Sequence, residues 1–396
     1  MSANRRRLAN VRVAGTAAAA LAAGLSACSG IGGDAEPKPR GEIDTKTTER
    51  TTAGRVTGPR TTKPEASQTA LARLVGQKFV VAYRGTIVPP PRLLQRIERG
   101  EVGGVILFTD NVPRDGATGM RRVVARLQRA ARAGGNPRLL IMTDQEGGDI
   151  RRVPGPPRRS PSELGAGDLR SVMSVAVSTG RSLRRMGVGV DLAPVVDVPA
   201  DASSFLNARA YSAPGRRNEL ASVVFAEGLQ QAGIAATAKH YPGLGSSGAR
   251  DTDRVEVTLD TPLAVMERER SAFVRHVRRG TRLVMVSSAT YAAYDRTRPA
   301  VVSRRIIGRL RRDGFRGVVI SDELRVPGLR RFGAGAASAA TRAGVDVLLF
   351  ANSSGDPEYR MLLADVRAGR VRPRLVERQV TRIIALKRWI AAGGGA

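Results

Sequence analysis

Short apolar runs rich in β-branched residues recur along the chain after about residue 70, and segments with helical periodicity separate them. This alternation is typical of βα units, in which each strand is followed by a helix that covers the sheet. Eight strands with helical returns predict an α/β fold, a single (β/α)8 TIM-type barrel, with a doubly wound open sheet as the alternative. The predicted strands are residues 79–82, 104–108, 139–143, 190–196, 235–239, 282–287, 317–321 and 345–350.

Helical patterns lie between these strands, and little sequence remains after the eighth strand for a second domain. Residues 366–391 predict one final helix, which Trp389 would hold against the barrel. No Gly-x-Gly-x-x-Gly fingerprint follows the first strand, which disfavours a dinucleotide-binding fold. The other predicted helices are residues 92–99, 119–133, 168–186, 218–232 and 262–279.

The amino terminus has the features of an export signal. Three arginines at residues 5–7 precede an apolar run at residues 13–25, and the segment Leu25-Ser26-Ala27-Cys28 resembles the bacterial lipobox. We therefore predict a lipoprotein signal peptide at residues 1–27, with an ordinary cleaved signal or an N-terminal membrane helix as the alternatives. The apolar run is shorter than the roughly 20 residues that span a bilayer. Cys28 would carry the lipid that anchors the exported protein to the outer face of the cell membrane. The composition of residues 28–68 predicts a disordered tether, and we assign residues 69–396 to the barrel domain.

Composition excludes several classes of site. The net charge is +30, mostly from arginine, but no helix-turn-helix, zinc-finger or RNA-binding signature accompanies it. We therefore expect no nucleic-acid partner, and interpret the basic surface as one that faces an anionic cell wall. A single cysteine allows no internal disulfide, and two histidines far apart in sequence disfavour a zinc site. No metal or organic cofactor is implied.

In a barrel, side chains at the carboxyl ends of the strands share one cleft. Paired acids in such a cleft suit glycoside hydrolysis, in which one carboxylate attacks the anomeric carbon and a second group protonates the leaving oxygen. Each acid also has a structural interpretation, because a strand-end aspartate such as Asp197 can simply accept hydrogen bonds from backbone amides. The polar residues at predicted strand ends are Asp144-Gln145-Glu146, Asp191, Asp197, Lys239-His240, Ser287-Ser288, Ser321-Asp322-Glu323 and Asn352.

Several sequence blocks, taken in order, are similar to those of the family 3 glycoside hydrolases, specifically the single-domain β-N-acetylglucosaminidases (β-hexosaminidases). The similarity runs from about residue 74 to residue 386. The blocks are GGVILF at 103–108, DQEGG at 144–148, DLAPVVDV at 191–198, NARAY at 207–211, KHYPG at 239–243, GVVISDEL at 317–324 and AGVD at 343–346.

The resemblance implies roles for matching residues of this chain. Asp322 would be the nucleophile that forms a glycosyl-enzyme intermediate. Other residues would bind the terminal N-acetylglucosamine by hydrogen bonds to its hydroxyl and acetamide groups. These substrate-binding residues are Asp144, Arg152, Arg209, Lys239 and His240.

The loop after the fifth predicted strand departs from this family's pattern. Where the family carries Asp-Ser-His, whose Asp-His pair supplies the acid/base, this chain has Asp251-Thr252-Asp253. Three interpretations stay open. In the first, Asp253 acts as the acid/base, with Asp251 raising its pKa by repulsion. In the second, the two aspartates bind a peptide or a positively charged substrate feature. In the third, the protein binds sugar with little turnover.

In the second interpretation, water or Glu256 protonates the leaving group. A solvated loop, in which the two carboxylates neutralise Arg250 and Arg254, is the structural alternative. His276 cannot obviously replace the missing histidine, and we assign it to a helix surface or a helix end.

The sequence thus predicts a retaining exo-β-N-acetylglucosaminidase that releases terminal N-acetylglucosamine from peptidoglycan fragments. The alternatives are a non-catalytic or weakly active glycan-binding lipoprotein and a broader β-glucosidase. The membrane would be contacted through the lipid anchor only.

Overall fold

The computed structural model describes residues 63–213 and 218–394. In this part of the chain, eight parallel strands follow one another around a closed barrel, and the eighth pairs with the first. The predicted TIM-type barrel is confirmed, and the open-sheet alternative is wrong. The strands are β1 (Phe79–Val81), β2 (Gly104–Ile106), β3 (Leu140–Thr143), β4 (Val190–Asp191), β5 (Ala235–Tyr241), β6 (Leu283–Val286), β7 (Val318–Glu323) and β8 (Val347–Phe350).

Three strand ends differ from the prediction in ways that affect the cleft. β4 stops at Asp191, and beyond it only Val195 makes isolated bridges to neighbouring segments. Pro194 interrupts the predicted strand because proline cannot donate a ladder hydrogen bond. β5 and β7 instead run two residues further than predicted, so Asp322 lies within its strand rather than after it.

Helices surround the barrel on its outer side, and those predicted agree with the structure to within a few residues. The segment predicted as one final helix is an exception. A helix ends at Arg367, Gly369 follows with a φ of 74°, and a new helix begins at Pro373. Glycine adopts this left-handed conformation easily, and proline is favoured in a first helical turn, so the break has a local cause. The helices are Lys63–Gly76, Pro91–Arg99, Gly116–Ala133, Pro161–Gly165, Leu169–Met186, Glu219–Gln231, Leu263–Arg278, Arg304–Arg312, Ala336–Ala343, Asp356–Arg367 and Pro373–Ala391.

Alternation along the short strands divides the core into two layers. Side chains such as Val80, Ile106 and Met142 fill the barrel, whereas Phe79 and Val105 face outward beneath the helices. Ile383 and Leu386 of the last helix join the inner layer and close the amino-terminal end of the barrel. Trp389 packs against the same layer, with the Arg282 guanidinium 4.5 Å from its ring centre. Burial on both faces explains why the strands are nearly continuous apolar runs.

A charged cluster, which we call the Asp346 cluster, lies at the amino-terminal ends of the strands and consists of Asp346, Arg311, Arg382 and Lys78. The fully buried Asp346 carboxylate accepts from Arg311 at 2.7 Å, from Arg382 at 2.6 Å and from the Val319 amide at 2.9 Å. Lys78 Nζ donates to two backbone carbonyls and one side-chain amide within 2.9 Å. Burial is the main cause that lowers the pKa of Lys78, to about 7.

His276 lies in the last turn of the helix Leu263–Arg278, as the helix-end assignment predicted, but it is not on the surface. Its ring is fully buried and contacts the hydroxyls of Ser222 at 3.1 Å and Thr281 at 3.0 Å. Burial lowers the pKa of His276 to about 3. The residue is therefore a neutral part of the core between two helices.

The predicted signal peptide, the lipidation site Cys28 and most of the predicted tether lie outside the described residues. The first described helix, Lys63–Gly76, begins before the predicted domain start at residue 69. Among the described residues, no helix has the length and apolar character needed to cross a membrane.

Candidate active site

A cleft of about 820 Å³ opens at the carboxyl ends of the strands. Loops after β1, β2, β3, β4, β5 and β8 and the end of β7 contribute to its walls, while Met285 and Leu349 lie on its floor. Of the strand-end polar residues expected to share this cleft, Gln145, Asp191, Asp197, Ser287, Ser288 and Ser321 do not line it, because their side chains lie beneath it in the core. The cleft does bring together the eight residues to which the sequence analysis gave catalytic or substrate-binding roles. These are Asp144, Arg152, Arg209, Lys239, His240, Asp251, Asp253 and Asp322.

β7 presents two adjacent acids that differ in their surroundings. Asp322 is half-buried, and its carboxylate accepts one hydrogen bond, 2.9 Å from the amide of Glu323. Glu323 is buried and accepts from the amides of Arg325, Ala351 and Asn352 at 2.6–3.0 Å. Burial is the main cause that raises the pKa of Glu323. Glu323 thus ties the loop after β8 to β7, while Asp322 keeps lone pairs directed at the cleft.

Glu146 holds two of the predicted sugar-binding cations, and the sequence analysis did not assign it this role. Arg209 binds it with both Nε and Nη2, at 2.9 and 2.8 Å, and Lys239 Nζ lies 2.6 Å away. Lys239 Nζ also contacts Asp144 at 2.8 Å. We call these four residues the Glu146 cluster.

Charge balance in the Glu146 cluster keeps Glu146 and Lys239 ionised. Burial alone would raise the pKa of Glu146, but the charges of Arg209 and Lys239 outweigh it and lower the pKa to about 2. Burial likewise opposes the charge on Lys239, yet Asp144 and Glu146 raise its pKa above the ordinary value. The available signal for Glu146 was its place next to Asp144 at a strand end, before two glycines with φ of 113° and 54°.

Two buried aspartates support this cluster from beneath. Asp191 accepts from the Gln145 amide at 3.0 Å, and burial is the main cause that raises its pKa to about 8. Asp197 accepts from the amides of His240 and Leu244, at 3.1 and 2.7 Å, which agrees with its structural interpretation. Its Oδ2 also lies 2.7 Å from His240 Nδ1 and so orients the ring. The other ring nitrogen of His240 is then available to the cleft.

The stem of the altered loop is anchored to the barrel. Glu269, on the helix Leu263–Arg278, accepts from the Gly245 amide at 3.1 Å and the Ser246 hydroxyl at 2.5 Å. A side chain at Gly245 would place its Cβ 1.9 Å from the Val198 carbonyl oxygen, so this close approach requires glycine. The anchored stem carries the Asp251–Asp253 turn into the cleft.

Asp253 is exposed at the cleft mouth and lies among other acids. Partial removal from bulk water is the main cause that raises its pKa, and repulsion from Asp322 and Asp251 raises it further, to about 7. A carboxyl group with this pKa is partly protonated at neutral pH, as a general acid must be.

The Asp251 carboxylate stabilises the turn that carries Asp253. It accepts from the Asp253 amide at 3.0 Å and lies 3.6 Å from Arg254. The predicted charge neutralisation is therefore present between Asp251 and Arg254. The Arg250 guanidinium instead donates to the backbone carbonyls of Ser247 and Thr258. Glu256 is exposed and does not line the cleft.

The described residues contain no group of three or more histidine, cysteine, aspartate or glutamate side chains arranged to hold a metal ion. A closed βα barrel whose cleft combines several carboxylates with arginine and lysine donors defines the class of barrel glycoside hydrolases. The model of the glycosyl hydrolase family 3 N-terminal domain matches residues 91–386, and the chain belongs to this family. The resemblance seen in the sequence is thereby confirmed.

Known proteins extend the comparison. A protein of Arthroderma benhamiae, named an uncharacterized secreted glycosyl hydrolase, is 31% identical over 81% of this chain and 94% of its own length. A β-hexosaminidase of Bordetella parapertussis is also 31% identical, over 65% of this chain and 75% of its own. A family 3 β-N-acetylglucosaminidase structure from Paenibacillus superposes with a TM-score of 0.76 at 29% identity. That match covers 82% of this chain but 64% of the longer Paenibacillus chain.

Proposed function

We propose that this protein is a retaining exo-β-N-acetylglucosaminidase that releases terminal N-acetylglucosamine from peptidoglycan fragments. One observation carries the proposal: Asp322 lines the same cleft as the cation pair Arg209 and Lys239. A nucleophile and donors that grip one sugar ring must share a single cavity for the reaction to be possible. Relatives named β-hexosaminidase and β-N-acetylglucosaminidase support the choice of sugar.

The Glu146 cluster suits the binding of a sugar ring. Lys239 has three donors, and its contacts with Asp144 and Glu146 leave one for a substrate hydroxyl or acetamide oxygen. Asp144 uses one oxygen for Lys239 and keeps the other for ring hydroxyls. Because these groups are already held by protein contacts, little ordering is needed when the sugar binds.

Asp322 and Asp253 would carry out the two chemical steps. In the first, an Asp322 oxygen forms a bond to the anomeric carbon while the glycosidic bond breaks and Asp253 gives its proton to the leaving oxygen. In the second, Asp253 takes a proton from water, whose oxygen displaces Asp322 from the anomeric carbon. Two displacements on the same carbon return the original configuration.

The proposal is tested by incubating the purified chain with a disaccharide fragment that ends in β-linked N-acetylglucosamine and measuring the released monosaccharide. Asp322→Asn should lower hydrolysis of this substrate and of an aryl N-acetyl-β-glucosaminide on the order of 10⁴-fold or more. Asp260→Asn is the matched control, because this carboxylate is 83% exposed and lies outside the cleft lining. Unchanged turnover in Asp322→Asn would refute the nucleophile assignment.

The missing loop histidine favours one alternative, a glycan-binding protein with little turnover. Calorimetric binding of N-acetylglucosamine without release of sugar would support it. Aryl glucosides compared with aryl N-acetylglucosaminides separate the proposed activity from that of a broader β-glucosidase.

We also propose export and attachment to the outer face of the cell membrane through a lipid on Cys28. The relative named as secreted supports export. Cells that express Cys28→Ala should release the protein from the membrane fraction into the medium, whereas the unchanged chain should stay with the membrane. Equal release of both would contradict the anchor.

A further inference from the structure

A cavity of about 350 Å³ opens at the amino-terminal ends of β6 and β7, at the opposite end of the barrel from the catalytic cleft. The last helix, Pro373–Ala391, forms one wall, and the turns that lead into the two strands form the other. The cavity and the cleft have no lining residue in common. We call it the basal pocket and define it by five of its lining residues, Arg282, Phe315, Arg316, Arg382 and Trp389.

The basal pocket carries positive charge without a matching negative charge. No aspartate or glutamate lines it, and neither Arg282 nor Arg316 forms an ion pair with any residue that the structure describes. Arg382 differs from them, because its Nε and Nη2 bind the Asp346 carboxylate. Burial lowers the pKa of the Arg282 guanidinium, and no carboxylate in the described part of the chain counters this shift. A partly buried cation of this kind is stabilised when an anion binds beside it.

Two buried hydrogen-bond donors belong to residues that line this pocket. The Nε of Arg282 and the Nε1 of Trp389 are both shielded from solvent, and neither has a partner among the described residues. The Arg282 guanidinium lies over the Trp389 ring, 4.5 Å from its centre. A guanidinium in this position contacts the ring through its flat face and keeps its N–H groups for acceptors in its own plane. Buried donors without a partner are costly unless water or a ligand satisfies them.

The walls of the basal pocket are held by contacts that leave these donors unused. The backbone amide of Arg282 donates to the side chain of Gln230 at 2.9 Å. Arg311 donates to the carbonyls of Phe315 and Gly317 at 3.1 and 2.7 Å and so fixes the turn before β7. A Cβ at Gly317 would lie 2.4 Å from the Arg282 carbonyl oxygen, so this close approach of the two turns requires glycine. Because the walls are fixed in advance, a ligand needs to order little of the protein when it binds.

We propose that the basal pocket binds a phosphate group, as inorganic phosphate or as a phosphomonoester, through Arg282, Arg316 and the indole N–H of Trp389. This site is separate from the catalytic cleft and does not depend on the function proposed for the cleft. A phosphate group carries about two negative charges near neutral pH and has several acceptor oxygens. Its charge matches the two unpaired arginines, and guanidinium groups bind phosphate oxygens with paired donors. A carboxylate would supply one charge and two oxygens in one plane, and would leave part of this capacity unused.

Isothermal titration calorimetry with inorganic phosphate at constant ionic strength tests the proposal, and we expect saturable binding. Arg282→Gln should weaken it about tenfold or more, because it removes charge-assisted hydrogen bonds to the phosphate. Trp389→Phe keeps an aromatic ring for packing but removes the Nε1 donor, and should weaken binding about tenfold. The control Arg121→Gln removes the same charge as Arg282→Gln from an exposed position of the helix Gly116–Ala133 and should keep the affinity.

Absence of saturable binding, or unchanged affinity in either folded variant, would overturn the inference, and so would acetate that displaces phosphate at equal concentration. Far-UV circular dichroism checks the fold of each variant, and a defect in Arg282→Gln leaves Trp389→Phe to decide. Glycerol 3-phosphate titrated in parallel distinguishes the source of the phosphate group. Tighter binding than inorganic phosphate supports a phosphomonoester as the ligand, and weaker or equal binding supports free phosphate. None of these measurements uses glycoside hydrolysis, so failure of the pocket is separate from failure of the proposed function.

Discussion

The Glu146 cluster and the Asp346 cluster use the same chemistry at opposite ends of the barrel. In each, a fully buried carboxylate binds two cationic side chains: Arg209 and Lys239 at the cleft, Arg311 and Arg382 at the amino-terminal end. The two clusters differ in how many hydrogen-bond donors of their cationic side chains remain without a protein partner. Arg311 gives its other donors to the carbonyls of Phe315 and Gly317, whereas the cations of the Glu146 cluster border an open cavity.

The comparison separates a stabilising network from a binding site. At the Asp346 cluster Arg311 and Lys78 give their other donors to protein carbonyls and a side-chain amide, and Arg382 on the last helix binds the carboxylate with both Nε and Nη2. At the Glu146 cluster the partners hold the cations in position without exhausting their donors. Charge and burial are similar at both ends, so the unused hydrogen-bonding capacity is what indicates function. The predictions below are designed to break or sharpen this contrast.

After Asp322→Asn, the largest effect is expected for Asp253, which lines the same cleft as the Glu146 cluster. Asp253→Asn should lower hydrolysis of a disaccharide about 10²–10⁴-fold, because its leaving group needs a proton, and affect an activated aryl glycoside far less. Steady-state kinetics on both substrates check this. Equal losses on the two substrates would argue against an acid role, and the exposed control Asp260→Asn should match the unchanged protein.

Mutation of the Asp346 cluster should lower the stability of the protein without changing its activity. Asp346→Asn leaves Arg311 and Arg382 without their shared anion, and we expect the free energy of unfolding to fall by about 3 kcal/mol. Chemical denaturation measures this, and activity per folded molecule should stay the same. Glu227→Gln, which breaks a pair with the exposed Arg279, should cost under about 1 kcal/mol. A similar loss of unfolding free energy in Asp346→Asn and Glu227→Gln would show that the buried cluster stabilises the fold no more than an exposed ion pair does.

Glu146→Gln should affect substrate binding more than chemistry. Without the negative charge, Arg209 and Lys239 lose the partner that positions them, and we expect KM to rise roughly 10- to 100-fold, the range of charge-assisted hydrogen bonds. The exposed Glu98→Gln serves as the control. A fall in kcat with KM unchanged would show that the cluster does not position the sugar.

The smallest change concerns pH. The pKa of Asp253 is raised to about 7, and only its protonated form can donate, so the active fraction falls as pH rises through about 7. We expect kcat/KM for the disaccharide to drop about tenfold per pH unit above that point. The basic limb should disappear in Asp253→Asn. A limb that persists in the variant would assign it to another group.

Fold prediction succeeded where the pattern was local. The strand pattern identified all eight strands, because each is a short apolar run buried on both faces. The break in the predicted final helix was missed, although Gly369 and Pro373 mark it, because apolar periodicity continues across it. For His276 the helix-end alternative was confirmed and the helix-surface alternative was wrong, because a polar residue on a helix says nothing about which neighbours cover it.

Prediction of the site was also limited to what residues close together in the sequence reveal. The eight residues given catalytic or substrate-binding roles all line the cleft, but strand-end position alone was a weaker guide, since Asp191, Asp197 and Ser287 lie outside its lining. The role of Glu146 could not be read from its motif, since Arg209 lies 63 positions away and reaches it only in the folded barrel.

The sequence by itself determined the barrel and the identity of the acids and cations at the strand ends, because these follow from short-range periodicity and residue type. The family followed from the resemblance of its ordered motifs to those of known proteins. Only the tertiary structure decided which charges neutralise one another, which remain free and which carboxyl group holds a proton near neutral pH. Those properties depend on distances and desolvation between segments far apart in the chain, and the closing of the barrel sets both.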